Sequence, residues 1–312
     1  EVHQEYLELF FRTMAERQNV WVKKTLEKQS PPWTDDKFFR DYKFTNVYRE
    51  LDRNSQWEIN NIIKPKNIKP IDKVWMICFF RLLNEPKFFE FYKEEEGFKN
   101  ALPLPSEFKK ARFYACLTKY RKTGKNPYTS AYLINTACCP KEKRDKCYAF
   151  KIIPGIFDNY SDLYEVMQKA TDPKQIIKKL MSMPAIAEFV SHEIYISFCY
   201  FERYADKAIM KFDQNDFTNV GPGASLGIRL IFPSTKSKDQ EQRIYDVREI
   251  GDKYLQDNEF QYLNYDKNTG KYSVSSEGQL NLHMVEMFLC EFSKYWKMMM
   301  GVGKQRSTYN WK

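Results

Sequence analysis

Hydrophobic positions recur along most of the chain at three- and four-residue intervals. Over 4–28, Tyr6, Phe10 and Met14 keep that spacing until Ser30-Pro31-Pro32 breaks it, which predicts a helix. Val47, Leu51 and Ile62 carry the same period through 46–63. Pro70 and Pro105 stand where a first helical turn tolerates a missing N–H, and predict helices over 71–83 and 106–121. The spacing continues over 128–138, 161–169, 174–181, 186–210, 224–231, 240–255 and 280–299. Strand signals are sparse: 271–274, after Asn268-Thr269-Gly270, reads as half of a hairpin. The pattern predicts an all-α fold. It sets 1–31 apart as an N-terminal helix and 32–312 as one helical domain, with two helical lobes around a cleft as a variant. The polar segment 234–242 reads as a loop.

Composition narrows the class. Of 312 residues, 43% are hydrophobic and 16% aromatic, enough for a substantial core and too many for a disordered chain. Fifty Lys and Arg against 41 Asp and Glu leave a charge of +9, which suits a polyanion: DNA, with RNA as the alternative. No apolar run reaches the length of a membrane span, and no signal peptide is visible. The expected location is therefore inside the cell, in the nucleus for a eukaryotic source. The seven Cys, an odd number set mostly in apolar stretches, read as reduced thiols. Cys138, Cys139 and Cys147 match no usual zinc or iron–sulfur spacing, and His3, His192 and His283 are scattered, so neither metal nor cofactor is expected. Walker A and Rossmann glycine patterns are absent.

Charge is concentrated in two stretches without acids. Lys109, Lys110, Arg112, Lys119, Arg121, Lys122 and Lys125 alternate with Phe113, Tyr114 and Tyr120. After Glu291 come Lys294, Lys297, Lys304, Arg306 and Lys312, with Tyr295, Trp296, Tyr309 and Trp311. Cations neutralise phosphates and aromatics stack on bases, so both stretches are candidate nucleic-acid contacts. A solvated helix face with its aromatics turned into the core is the competing reading.

Four segments carry candidate chemistry. Residues 44–57, Phe-Thr-Asn-Val-Tyr-Arg-Glu-Leu-Asp-Arg-Asn-Ser-Gln-Trp, read as one helix would place Asn46, Arg49 and Arg53 on one face beside Asp52, two guanidiniums able to grip a phosphate. Residues 180–194 read as helix, turn at 184–187, helix. That is the layout of a helix-hairpin-helix, with Ala185 and Ala187 where the pattern has the glycines that let backbone N–H groups approach a phosphate. Gly221-Pro222-Gly223 precedes an apolar helix and offers N–H groups to a phosphate or pyrophosphate. In 286–295, Glu291 and Lys294 sit at i and i+3 in an otherwise apolar helix. Asp213 and Asp216 follow the hairpin.

In this order, the segments at 44–53, 180–194, 220–224 and 290–295 resemble the α-glutamyl/putrescinyl thymine pyrophosphorylases, or amino acid:DNA transferases. That family is related to the helical domain found with 5-hydroxymethyluracil DNA kinases. The resemblance runs from about Pro32 to Tyr309. It implies an all-helical fold related to helix-hairpin-helix DNA glycosylases, and a reaction in which a pyrophosphorylated 5-hydroxymethyluracil in DNA loses pyrophosphate to an amine, from an amino acid or polyamine. For that chemistry Arg49, Arg53 and Lys294 suit the leaving group. Asp52, Glu291 or Asp216 suits deprotonation of the amine. Tyr48, Trp57 and Tyr295 suit the walls of a pocket for a flipped base. Asn46, Gly221 and Gly223 suit contacts to the nucleic acid. Three rivals remain: N-glycosidic cleavage using Asp213 or Asp216, a non-catalytic nucleic-acid-binding module on the same scaffold, and an RNA-binding or assembly protein.

Overall fold

The computed structural model describes residues 2–302 and Thr308. It is mostly helical, and its two strands, Tyr262–Asp266 and Lys271–Ser275, form a single antiparallel hairpin with Leu263 opposite Val274. The hairpin expected from 271–274 is thus present, with Gly270 at φ +67 in its turn. The chain divides into two compact units, 1–52 with 214–312, and 53–213.

The first unit is built from helices Gln4–Trp21, Lys37–Asp41, Pro222–Ile231, Gln240–Asp257 and Leu282–Met299. The expected separation of 1–31 is not seen: Phe10, Phe11 and Met14 are fully buried in one cluster with Ile228, Ile244, Phe288, Leu289 and Phe292. Phe10 meets Phe288 and Phe292 edge-on, both at 5.6 Å between centroids. Helix Pro222–Ile231 packs closely on Leu282–Met299 because its facing residues are small. A Cβ on Gly223 would lie 2.3 Å from Cys290 Sγ, and one on Gly227 2.4 Å from the Leu289 carbonyl oxygen.

The second unit centres on helix Pro70–Leu83, where Val74, Trp75, Met76, Ile77, Cys78, Phe79 and Phe80 are all inaccessible to solvent. Pro86–Glu96 is a further helix, with Glu85 capping its start and Gly97, at φ +72, ending it. Arg81 is buried and is paired with Glu58 at 2.6 Å and with Ser197 at 2.7 Å. Burial pushes the Glu58 carboxyl upward, against the pull of Arg81.

Three sequence expectations fail locally. Residues 46–63 are not one helix: a 3₁₀ turn Arg49–Leu51 is followed by Asp52 in extended backbone, then helix Arg53–Glu58 and a π turn Ile59–Ile63. Residues 128–138 are irregular, because local side chains compete for the backbone: the Ala131 N–H donates to Thr129 Oγ1 and the Ala137 N–H to Asn135 Oδ1. Among the cysteines, Cys139 and Cys147 are joined in a disulfide rather than both reduced.

The hairpin at 180–194 is two helices, Pro173–Met181 and Glu188–Tyr204. The first begins in a reciprocal cap, in which the Lys174 N–H donates to Asp172 Oδ1 and the Asp172 N–H to Gln175 Oε1. In the turn Ala185 adopts φ +65, the left-handed backbone that favours glycine.

Candidate functional site

The first unit gathers charged side chains around the irregular segment 43–52. Asp52 is the hub. Its Oδ1 accepts from the Asn46 backbone N–H at 3.1 Å and from Asn46 Nδ2 at 2.9 Å, and its Oδ2 pairs with Arg49 Nη1 at 3.2 Å. This geometry exists because the chain is not helical here. The extended Asp52 turns its carboxylate back onto Asn46, six residues earlier, which a continuous helix would not bring within hydrogen-bond reach.

Arg17, from the N-terminal helix, closes the cluster. Its guanidinium donates to the Phe44 carbonyl at 3.1 Å and to Asn46 Oδ1 at 2.7 Å. Asn46 therefore bridges a buried cation and a half-buried carboxylate. Helix Leu282–Met299 supplies the other wall. Glu291 Oε2 accepts the Thr45 N–H at 2.9 Å and lies 3.6 Å from Lys294 Nζ. Lys294 Nζ donates to the Lys43 carbonyl and sits 4.4 Å from the centre of the Phe44 ring.

Burial raises the Asp52 carboxyl above its ordinary value. Arg49, the Asn46 N–H and Arg17 oppose the shift, and Glu291 adds to it. The Cys290 thiol, next to Glu291, is pushed up to about 12 by burial first and then by Glu291 and Glu286, so it is a neutral packing group on Gly223. The result is a carboxylate with raised proton affinity, paired with the Arg49 guanidinium, with the Glu291–Lys294 pair packed on the same segment through Thr45 and Lys43. Such a set can take a proton and can hold an anion.

Of the residues singled out from sequence, Asn46, Arg49, Asp52, Glu291 and Lys294 come together. Arg53 is exposed and opens the helix Arg53–Glu58, whereas Arg49 lies in a 3₁₀ turn, so the two do not share one helix face as expected. Asp216 is exposed, and its charge acts on Tyr245. Tyr48 is buried with its hydroxyl accepting the Leu263 N–H, and Tyr295 is buried with its hydroxyl on Asp36 Oδ2 at 2.7 Å. Trp57 lies in the second unit, stacked on Phe80 with its indole N–H on Glu90 Oε1. Gly223 serves the close contact with Cys290, while Gly221 caps its helix 3.5 Å, measured from an added Cβ, from Glu286 Oε1.

In the stretch at 109–125, Phe113 and Tyr120 are core residues and Tyr114 packs on Phe150. Three of the cations meet acids from elsewhere in the second unit: Arg112 with Glu96, Lys119 with Glu95, and Arg121 with Asp145. Lys109, Lys110, Lys122 and Lys125 are exposed. Arg306 and Lys304 lie outside the described residues.

Two features were missed. Arg17 has a visible signal: it falls on the apolar stripe of Phe10, Met14 and Trp21, where a cation needs buried partners. The other is a cavity of about 490 Å³ in the second unit, lined among others by Lys64, Lys66, Lys73, Asp206 and Lys207, with Lys66 paired to Asp206 at 2.9 Å. Lys64, Lys66 and Lys73 are close in sequence, but no local pattern marks Asp206 and Lys207 as their neighbours.

The fold and the cluster define a predominantly helical protein whose first unit gathers two carboxylates, two guanidiniums and an ammonium. More particularly, residues 4–305 match the family described as the helical domain of 5-hmdU DNA kinase, and the chain belongs to that family. It is similar to the 5-hmdU DNA kinase of Bacillus phage SP10, with 25% identity over 303 residues, 95% of this chain and 45% of the relative. The chain thus spans less than half the length of that relative. No solved structure matches it. No helix among the described residues is long and apolar enough to cross a membrane.

Proposed function

We propose that this domain acts on a 5-hydroxymethyluracil-derived base in DNA, and that its reaction is replacement of pyrophosphate by an amine. The amine nitrogen bonds to the 5-methylene carbon, the carbon–oxygen bond to pyrophosphate breaks, and the amine proton passes to Asp52. Arg49 and Lys294 neutralise the departing pyrophosphate. Arg17 and Asn46 position Asp52, and Glu291 positions Lys294. The base reaches this site only if it is flipped from the stack, and within the second unit the exposed lysines of 109–125 are available to DNA phosphates.

The observation that carries the reading is the raised carboxyl of Asp52 held between Asn46 and Arg49, within reach of the charge of Glu291, which in turn pairs with Lys294. A proton acceptor next to cations is what amine attack on a phosphorylated carbon requires. Relation to a 5-hmdU DNA kinase supplies the base and the nucleic acid.

A second reading is favoured by the kinase in that relative's name together with the lack of a Walker A loop in this chain. Here the domain presents hydroxymethyluracil DNA to a phosphorylating module and does no chemistry itself. Incubating the full chain with duplexes containing 5-(pyrophosphoryloxymethyl)uracil and a panel of amino acids and polyamines, then digesting to nucleosides for mass spectrometry, separates the two. An amine adduct supports the transferase. Binding selective for hydroxymethyluracil DNA without an adduct supports presentation. Abasic sites would instead indicate glycosidic cleavage.

A further inference from the structure

We propose that the second unit contains a metal site formed by Cys138, Cys139 and Cys147, which in their reduced form bind a thiophilic d¹⁰ cation of the zinc class. The three sulfurs converge within 4.8 Å of one another. Cys138 Sγ lies 3.9 Å from Cys139 Sγ and 3.8 Å from Cys147 Sγ. Four thiolate-type ligands at zinc's ~2.3 Å bond length stand at tetrahedron corners about 3.8 Å apart. Two of the three edges in the cluster already have that length.

The third edge is closed by the Cys139–Cys147 disulfide, whose Cα atoms are 5.8 Å apart. After reduction, rotation about Cα–Cβ of either residue opens this edge without moving the backbone. A dithiol reductant supplies the two electrons and two protons and leaves as its own disulfide. The freed thiols, with that of Cys138, release their protons as the cation binds.

The surroundings suit three thiolates. Lys141, Lys143 and Lys146 lie within five residues of a cysteine and are exposed, and Lys151 Nζ donates to the Cys138 carbonyl. Nearby cations stabilise thiolate charge. Cys139 and Cys147 are buried, whereas Cys138 is half-buried, so the fourth coordination position faces solvent and takes water or a small ligand. The site also answers a structural need. Residues 123–143 run without helix or strand, and a segment this long in a compact unit needs a staple. Its other ties include the Thr129 N–H to the Leu83 carbonyl at 2.8 Å, the Tyr132 hydroxyl to the Arg81 carbonyl at 2.5 Å and the packing of Tyr128 on Tyr148.

Cys138 distinguishes this proposal from a plain disulfide, because the disulfide does not use it. The full chain is reduced, incubated with Zn²⁺, freed of excess ion and assayed for bound zinc. Parallel samples are alkylated and mapped by mass spectrometry. The expected result is close to one zinc per chain, with Cys138, Cys139 and Cys147 protected together and Cys290 unaffected by the ion. Cys138→Ser is expected to weaken zinc retention at least tenfold while the Cys139–Cys147 disulfide still forms in air, a sign that the variant is folded. Replacement of Zn²⁺ by Co²⁺ gives a visible thiolate charge-transfer absorption from the same three residues. Absence of retained zinc in the reduced wild type, or equal retention and equal alkylation in Cys138→Ser, overturns the proposal.

Discussion

Asp52 concentrates the chemistry of the cluster, and its raised proton affinity has consequences at single-residue scale. A carboxyl whose pKa is higher in the folded than in the unfolded chain stabilises the fold in acid. That contribution is complete below the ordinary carboxylate range and is lost as pH rises through the raised folded value. Asp52→Asn keeps an oxygen for Asn46 but does not titrate. Its stability, followed by urea unfolding at several pH values, is therefore expected to fall less than that of the wild type between acid and neutral pH. For activity the sign is reversed. Asp52 must be deprotonated to accept the amine proton, so the acid limb of the pH–rate profile should lie above the usual ~3.9 of an aspartate. Removing such a base typically costs about 10²- to 10⁴-fold in rate.

Buried Arg81 is a residue-scale case without proposed chemistry. Arg81→Met leaves Glu58 buried without its guanidinium, and about 3–5 kcal/mol of stability should be lost in denaturant unfolding. Glu58→Gln in the same chain should recover part of that loss, because the orphaned charge is then gone.

At the scale of elements, the close packing of Pro222–Ile231 on Leu282–Met299 depends on Gly223. Gly223→Ala places a methyl against Cys290 and is expected to cost about 1–3 kcal/mol, measured by chemical denaturation. Cys290→Ala added to it should restore part of the loss, since the nearest atom in the way is the Cys290 sulfur. The hairpin turn makes the opposite prediction. Ala185 occupies left-handed backbone, so Ala185→Gly is expected to stabilise the protein by about 1 kcal/mol. A drop in stability would mean that packing of the Ala185 methyl outweighs its backbone strain.

These elements also show what was legible in the sequence. Helix Pro70–Leu83 followed from apolar spacing and a proline at the first turn, and Leu282–Met299 from apolar spacing alone, each within one or two residues. Pro86–Glu96 had equally clear signals, a cap at Glu85, Pro86 and Gly97, but its run of Phe and Tyr hid the period. The segment 44–57 was legible as chemistry and not as structure. Its residue types identified Asn46, Arg49 and Asp52, but a periodic reading forced them onto a helix. The actual geometry depends on Glu291, Lys294 and Arg17, which reach the segment from 27 to 251 positions away in sequence. Contacts of that kind leave no local pattern, and the lysine-rich cavity of the second unit was invisible for the same reason.

At the scale of the whole molecule, the second unit is one continuous stretch inserted into a first unit made of two. Its own buried aromatic core, including Trp75, Phe79, Phe88, Phe89 and Phe113, should suffice for independent folding. A fragment of residues 53–213 is expected to show a helical circular dichroism spectrum and a cooperative thermal transition. A featureless melt would mean that this core needs the rest of the chain. The same division places the proposed chemistry: Arg17, Asn46, Arg49, Asp52, Glu291 and Lys294 all belong to the first unit, whereas the exposed lysines of 109–125 and the hairpin turn belong to the second. The most direct test of the central claim is a side-by-side measurement of pyrophosphate release and nucleoside mass on pyrophosphorylated hydroxymethyluracil DNA with an amine donor, for the wild type and Asp52→Asn. The account predicts matched release and amine adduct in the wild type, and loss of both, by at least a hundredfold, in a variant that still binds the DNA. Equal yields from the two proteins, or release without any adduct, would contradict it.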